Sequence, residues 1–448
     1  MSGPTATSFA RAALSRRTLL AGAVGAGALF AAGCGSGSSG GEAGGPVTLR
    51  MAWYGGEART KKYGTILDSY QAANPTVTVK REAAEWDKYW ERIATQTAAR
   101  DLPDVVHFTN MQLREFASNG QLLELNEDNT KGALDLSTLD PALLEAGKVD
   151  GKLYSVPTGS LILSTVANLG LLQGTGVTLP EAGAEWTWDD FREQGRKAVA
   201  KLGSGTWFVL DFGSSTRILT AFMMSRGKTL FDVAQQPPSL GFERQDLVDW
   251  LAYWEGLRQD GIAPPPSVTA EQQGLPFEAD LFAKEKAAVY LHTSNTLTNY
   301  QKYTKGELVL RRLPHAAGGS AAVDYFFSVS MAVPASSKNP QEAAKVISYF
   351  LNDPTAVQTY AGEFGPPGSA AGREILRKAA QVDGQKVIDF TDSEIKLGAV
   401  ADQNWPRGGQ QLNDVVLGQA NDQVAFGKAS PEAAADEALA KLKDALSR

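Results

Sequence analysis

The sequence predicts an α/β protein of two domains, or of two lobes sharing a cleft, and three observations carry that expectation. At 448 residues the chain is too long for one ordinary hydrophobic core. Its first structured stretch reads strand, helix, strand, an α/β unit. The third observation is the segment Val149-Asp150-Gly151-Lys152-Leu153-Tyr154-Ser155-Val156-Pro157-Thr158-Gly159, a turn, a strand and an abrupt stop. Asp150-Gly151 is a two-residue turn signal, and Pro157 has no N–H to give to a ladder, so the strand ends there. A stopped strand followed by a glycine is where a chain can leave one lobe and enter another.

The N-terminus is set apart from the body. Arg11, Arg16 and Arg17 precede an apolar, Gly- and Ala-rich run from Leu19 to Gly33 that ends at Cys34. The run is short for a membrane span and suits a cleaved targeting segment over residues 1–33. Ser15-Arg16-Arg17-Thr18-Leu19-Leu20 looks like a twin-arginine export signal. Ala31-Ala32-Gly33-Cys34 resembles a bacterial lipobox, with Ala31 where Leu is usual. Cys34 is the single cysteine, which excludes an intramolecular disulfide, a thiolate metal cluster and a cysteine nucleophile in the body, and leaves lipidation as its natural use. Residues 34–46, in which Gly35 to Gly45 is almost all Gly and Ser, read as a flexible tether from a membrane surface. Without residues 1–33 the net charge falls from -7 to about -10, which argues against nucleic acid as a partner.

Taken in order, Val47 to Gly56 is a strand running into a Gly turn. A helix from about Ala58 to Ala73 follows, with Tyr63, Ile66, Leu67 and Tyr70 at helical spacing, and Asn74-Pro75 stops it. Thr76 to Lys80 is a strand, a helix opens at Glu85 and runs to about Arg100, and Leu102 to Phe108 is a third strand. Thr109 to Met111 is expected as loop before a helix from Gln112 to Asn119, closed by Gly120. Beyond the crossing, Ile162 to Asn168, Thr206 to Leu210 and Ala288 to His292 are strands. Helices are expected from Trp186-Thr187-Trp188, with Thr187 or Asp189 as cap, and at about Ser215 to Ser225 and Arg244 to Gln259. Pro264-Pro265-Pro266 reads as a stiff surface loop, and Tyr325 to Val333 as one long strand making a second crossing. Helices over Gln341 to Leu351 and Pro354 to Gly362, a rigid loop Phe364 to Ser369 and a closing surface helix from Pro431 to Leu446 complete the chain.

Several of these stretches together resemble the solute-binding proteins of bacterial ABC importers, in the carbohydrate-binding branch that includes maltose-binding protein. They are Tyr70 to Pro75, Leu102 to Val106 with Ala117 to Leu123, Asp150 to Pro157, Trp186 to Asp189, Phe282 to Val289 and Ser337 to Ala344. Each is weak alone; their order and spacing over nearly the whole mature chain are fairly specific. Two places depart from the pattern, Val166-Ala167-Asn168 where a Tyr-Asn pair is common and Glu285-Lys286 where a glycine is common. The resemblance implies a two-lobed fold of the periplasmic-binding-protein type (type II), its lobes joined by crossing hinge strands around a central cleft and closing over a ligand by hinge motion. It places lobe 1 at 47–157 and about 330–395, and lobe 2 at about 158–329 and 396–448. Ligand-binding residues then belong on loops at the strand ends.

A sugar site needs aromatic platforms for C–H faces together with amides, carboxylates or guanidinium groups for hydroxyls. Candidates at loop positions are Trp53, Tyr54, Glu85, Trp86, Asn110, Trp207, Asp211, Asn295, Gly365, Trp405 and Arg407. Each has a structural alternative: core packing for a tryptophan, a helix cap or solvated loop for a polar group, a simple turn for Gly365. Trp250 and Trp254, four apart on a helix, are assigned to the core. The three histidines lack metal-ligand spacing, and neither a phosphate-cradling loop nor a nucleophile elbow is present, so no metal, cofactor or catalytic residue is expected. The expectation is a monomeric lipoprotein that captures a mono- or oligosaccharide outside the cytoplasmic membrane and delivers it to ABC permease subunits. Alternatives are a glycerophosphodiester or other polar solute read by Arg407, and a surface-tethered polysaccharide hydrolase or lyase.

Overall fold

Two mixed sheets organise the chain, and the sequence order of their strands shows where it passes from one to the other. The computed structural model describes residues 45–319, 325–327 (backbone only) and 329–447, so the targeting segment, the lipobox with Cys34 and most of the tether lie outside the described residues. From Pro46 onward the chain forms one compact unit.

In the first sheet Val47–Tyr54 runs parallel to Val77–Ala84 on one side and to Val105–Phe108 on the other. Ser330–Ala332 and then Ser155–Pro157 follow, each antiparallel to its neighbour. Pro157 sits within this last strand rather than after it. The strand is the edge of the sheet, where a residue without an N–H costs no ladder bond. Asp150 and Gly151, at φ 50° and 81°, turn the hairpin that pairs Lys148–Val149 with Lys152–Leu153. The helix Glu57–Ala73 buries the expected stripe of Tyr63, Ile66, Leu67 and Tyr70.

The second sheet is built around Leu161–Asn168, which is buried along its length. It pairs antiparallel with Ala287–Thr293, Leu308–Arg311 and Tyr325–Phe327; Trp207–Val209 and Val400–Ala401 form the outer strands. The single strand expected over Tyr325 to Val333 is therefore two short strands in different sheets. Trp250 and Trp254 are fully buried, and Trp250 Nε1 donates to Gly213 O at 2.8 Å.

Two local expectations change, and the closing C-terminal helix is found as expected. Pro264 is buried and Pro266 opens the helix Pro266–Glu271, a position that suits proline because its missing N–H has no helical partner to lose. Helices Ala370–Ala379 and Val382–Leu397 fill a stretch with no predicted element, and the second packs on Leu308–Arg311 and Thr296–Gln301. The C-terminal helix Pro431–Ser447 is tied to Arg244–Gln259 and Leu417–Ala425 through Ala434, Ala438, Leu439 and Leu442.

Thr187 is the cap of Trp188–Val199, with its hydroxyl accepting from Asp190 N while the Asp190 carboxylate accepts from Thr187 N. Removing this reciprocal pair by Thr187→Ala is expected to cost about 1 kcal/mol, read as a lower urea midpoint with unchanged slope.

Candidate functional site

The two sheets approach each other at the stretch 158–160. Here the loop after Glu363 lies against the crossing backbone: Ser160 N donates to Pro366 O at 2.9 Å, and a Cβ on Gly159 would stand 2.4 Å from Phe364 O. Gly365, at φ 85°, would place a Cβ 2.2 Å from Ser160 O. Its close backbone approach is thus to the crossing peptide rather than to a ligand, and a side chain there meets both strain and carbonyl.

A second bridge forms at the residues after Val400–Ala401. The helix expected from Gln112 starts earlier, at Asn110, because Thr109 Oγ1 caps it by accepting from Met111 N. Asn110 Nδ2 donates to Asp402 Oδ2 at 2.7 Å and to Gln403 O at 3.2 Å, and Asn110 O accepts from Trp405 N at 2.8 Å. Asn404 Nδ2 donates to Ala146 O and Lys148 O. On the other side Gln403 Oε1 accepts from Phe231 N, and the Trp405 ring meets Phe231 at 5.4 Å. Segment 402–405 therefore bonds to elements of both halves.

This bridge carries polar atoms without protein partners. Asn110 Oδ1, Asn404 Oδ1 and Trp405 Nε1 are buried and make no hydrogen bond, although their residues are only 7%, 5% and 2% exposed. Two acceptors and a donor left open in one cluster are costly in a finished core, where buried polar groups are almost always paired.

The electrostatics of the cluster centre on Asp402 and Arg217. Burial lifts the Asp402 carboxyl up to about 7, against the opposing pull of the Gln403 backbone, the Asn110 amide and the Arg217 charge. Arg217, on the helix Thr216–Met224, places Nη1 3.5 Å from His292 Nε2. Burial, with the Arg217 charge added, holds the His292 imidazole down to about 3, so it is neutral. Its Nδ1 lies 2.9 Å from Thr296 Oγ1 and 3.0 Å from Thr293 Oγ1. Arg217 also acts on the Tyr54 phenol, whose pKa burial raises. Tyr54 ends the first strand; Trp86 stands edge-on to it at 4.7 Å and is 37% exposed. The Glu85 carboxylate lies 3.3 Å from where a Cβ on Gly56 would be, which keeps that turn close to the helix start. Arg59 donates to Tyr54 O at 2.7 Å and stacks 3.9 Å over Phe364. Tyr54, Trp86, Asn110 and Trp405 of the predicted set are thereby brought into one region, with Arg217, His292, Asp402 and Asn404 beside them.

Residues 65–374 match the family model described as bacterial extracellular solute-binding protein. The chain belongs to this family. A periplasmic solute-binding protein of Pectobacterium atrosepticum is 21% identical, with a TM-score of 0.75 over 90% of this chain and 99% of that one. An oligogalacturonide-binding protein of Yersinia enterocolitica, solved with saturated digalacturonic acid, is 23% identical, with a TM-score of 0.73 over 89% and 99%. An uncharacterised lipoprotein of Streptomyces antibioticus is 24% identical over 86% of this chain and 88% of its own length. The fold is the two-lobed solute-binding one.

The remaining predicted positions of this solute-binding protein lie elsewhere. Trp53 is fully buried and packs on Tyr63 at 5.2 Å, because alternation along its strand turns it to the helix-covered face. Trp207 pairs with Ala287, at the opposite end of that strand from His292. Five residues of strand put it about 17 Å away. Asp211 forms a buried ion pair with Arg258 at 2.7 Å, and its other oxygen accepts from Gly213 N. It is fully used in holding the second half together. Asn295 Oδ1 accepts from the Thr293 hydroxyl and lines a different cavity of about 410 Å³, with Thr298, Gly362, Leu376 and Val387. Arg407 is 71% exposed and reaches Glu115 at 3.8 Å on an outer groove. Among the described residues no group of His, Cys, Asp or Glu has metal-site geometry, and no helix is long and apolar enough to cross a membrane.

Proposed function

We propose that this chain captures a sugar between its two lobes, acts on it without chemistry, and delivers it to the permease of an ABC importer from a lipid anchor on the outer face of the cytoplasmic membrane. The observation that carries the reading is the cluster of buried, unpartnered groups on Asn110, Asn404 and Trp405. Amide oxygens and an indole N–H suit the donors and acceptors of ring hydroxyls, and the exposed Trp86 offers a face for their C–H edges. The sugar-binding relative from Yersinia and the lipoprotein relative from Streptomyces agree with it. The twin-arginine-like segment, the lipobox-like Ala31 to Cys34 and the Gly-Ser tether supply the export and anchoring half of the proposal. In it the lobes follow the two sheets: residues 46–157 and about 330–380 form one, and the remainder of the body the other, with hinge closure between them.

The phosphodiester alternative drew on Arg407, whose place on an outer groove beside Glu115 lends it no support. Titration of the mature protein with a carbohydrate panel is expected to give calorimetric heat and a change in tryptophan emission. Trp86→Ala is expected to weaken the sugar that binds by about tenfold, roughly 1.4 kcal/mol, and Trp86→Phe, which keeps the packing on Tyr54, to weaken it less. Heat from no sugar in the panel would sink the assignment.

A further inference from the structure

Segment 402–405 differs from the crossing at 158–160 in how the chain reaches it. Val400–Ala401 pairs with Tyr325–Phe327 in the second sheet, and Leu417–Ala425 packs on Arg244–Gln259 in the same half. The chain therefore enters the segment from the second half and returns to it. What ties it to the first half is a set of separate hydrogen bonds. Asp402 Oδ2 accepts from Asn110 Nδ2, Asn404 Nδ2 donates to Ala146 O and Lys148 O, and Trp405 N donates to Asn110 O. Such a contact can part without breaking a strand pairing of either sheet.

Asp402 is the single acid of the segment, and it is buried. Asn110 spends its Nδ2 on that carboxyl, while Asn110 Oδ1 and Asn404 Oδ1 stay open, so the cluster holds acceptors in excess of donors. A carboxylate would add further acceptors, whereas a neutral carboxyl adds an O–H. Burial favours the neutral form as well. Arg217, from the helix Thr216–Met224, is the charge that acts on it from a neighbouring element. The other charged groups around the segment are engaged elsewhere: Arg114 pairs with Asp150 at 2.8 Å and Lys148 with Glu145 at 2.6 Å, and the Asp232 carboxylate accepts from Ala234 N. The imidazole of His292, beside Arg217, is neutral.

We propose that Asp402 is a proton-operated latch between the two halves: with a proton on its carboxyl, segment 402–405 holds the first half, and loss of that proton lets the segment go. A solute enclosed between the halves is then held more firmly in acidic than in alkaline surroundings. That consequence rests on the capture reading above; the latch itself does not. Native-state hydrogen exchange of the mature protein, without any solute, tests it. Protection of the Trp405 amide, corrected for the chemical exchange rate, is expected to fall about tenfold per pH unit between about pH 5 and 7 and to level off above, because the freed carboxyl ionises at its ordinary value. Asp402→Asn, which cannot ionise, is expected to keep one level of protection across the range. Exchange at Trp405 is also expected to be indifferent to about 0.5 M urea, while the amides of Leu161–Asn168 exchange faster in it. A flat profile in the parent, or an equal slope in Asp402→Asn, overturns the role of the proton. Exchange at Trp405 that follows the core strand in rate and in urea response means that only unfolding frees the segment, and overturns the latch. Should the variant fail to fold, the parent's pH profile and urea response still decide.

Discussion

Asp211→Ala is expected to lower the folding stability of the protein by about 2–3 kcal/mol, because the buried Arg258 loses its shortest ion pair and keeps only Glu255 at 3.1 Å and Asn421 at 3.2 Å. The side chains of the pair are 1% and 4% exposed, and the second Asp211 oxygen ends the strand turn by accepting from Gly213 N. Equilibrium denaturation by urea would show this as a large fall in midpoint. A ligand-facing acid on an open loop would instead leave the midpoint within about 0.5 kcal/mol of the parent, and that outcome would return Asp211 to the site.

The second large effect concerns Asp402. Its carboxyl is moved from 3.8 to about 7, with burial as the main cause. The folded state then holds a proton that the unfolded chain releases above about pH 4. Stability therefore falls as pH rises through the window between about 4 and 7, by a total of about 4 kcal/mol, and is level above it. Asp402→Asn removes the ionisation and keeps an amide of the same shape beside Asn110. The variant is expected to match the parent at pH 4 and to exceed it by a few kcal/mol at pH 8. Parallel stability profiles across that window would show that the carboxyl is not buried as described. The groups that set this behaviour from the neighbouring elements are Arg217 and the Asn110 amide, with the Gln403 backbone on its own segment.

The fold was legible where local chemistry decides it. The helix stripe Tyr63, Ile66, Leu67, Tyr70, the cap at Thr187 and the turn at Asp150-Gly151 all rest on neighbours in sequence. The candidate site was legible in part. Tyr54, Trp86, Asn110 and Trp405, singled out as aromatic and amide residues at loop positions, fall in the region where the binding site is proposed. Asp211 and Trp207 looked alike from the sequence, yet the partner that claims Asp211 is 47 residues away and the end of the strand that bears Trp207 depends on pairing direction. Arg217, Asp402 and Asn404, which the structure sets in the same region, were not singled out from the sequence. A lone guanidinium just before the mostly apolar run Ile218 to Met224 is the signal that could have found Arg217; Asp402 and Asn404 sit among loop residues of ordinary composition.

The place of Ser330–Ala332 in the first sheet has a consequence for how the chain acquires its fold. That strand lies between Val105–Phe108 and Ser155–Pro157, so an N-terminal half-sheet cannot close until residue 332 exists. The other half in turn waits for the helix Pro431–Ser447 to cover Arg244–Gln259. Contacts this distant in sequence give a high contact order, and a nascent chain emerging in order can complete neither half early.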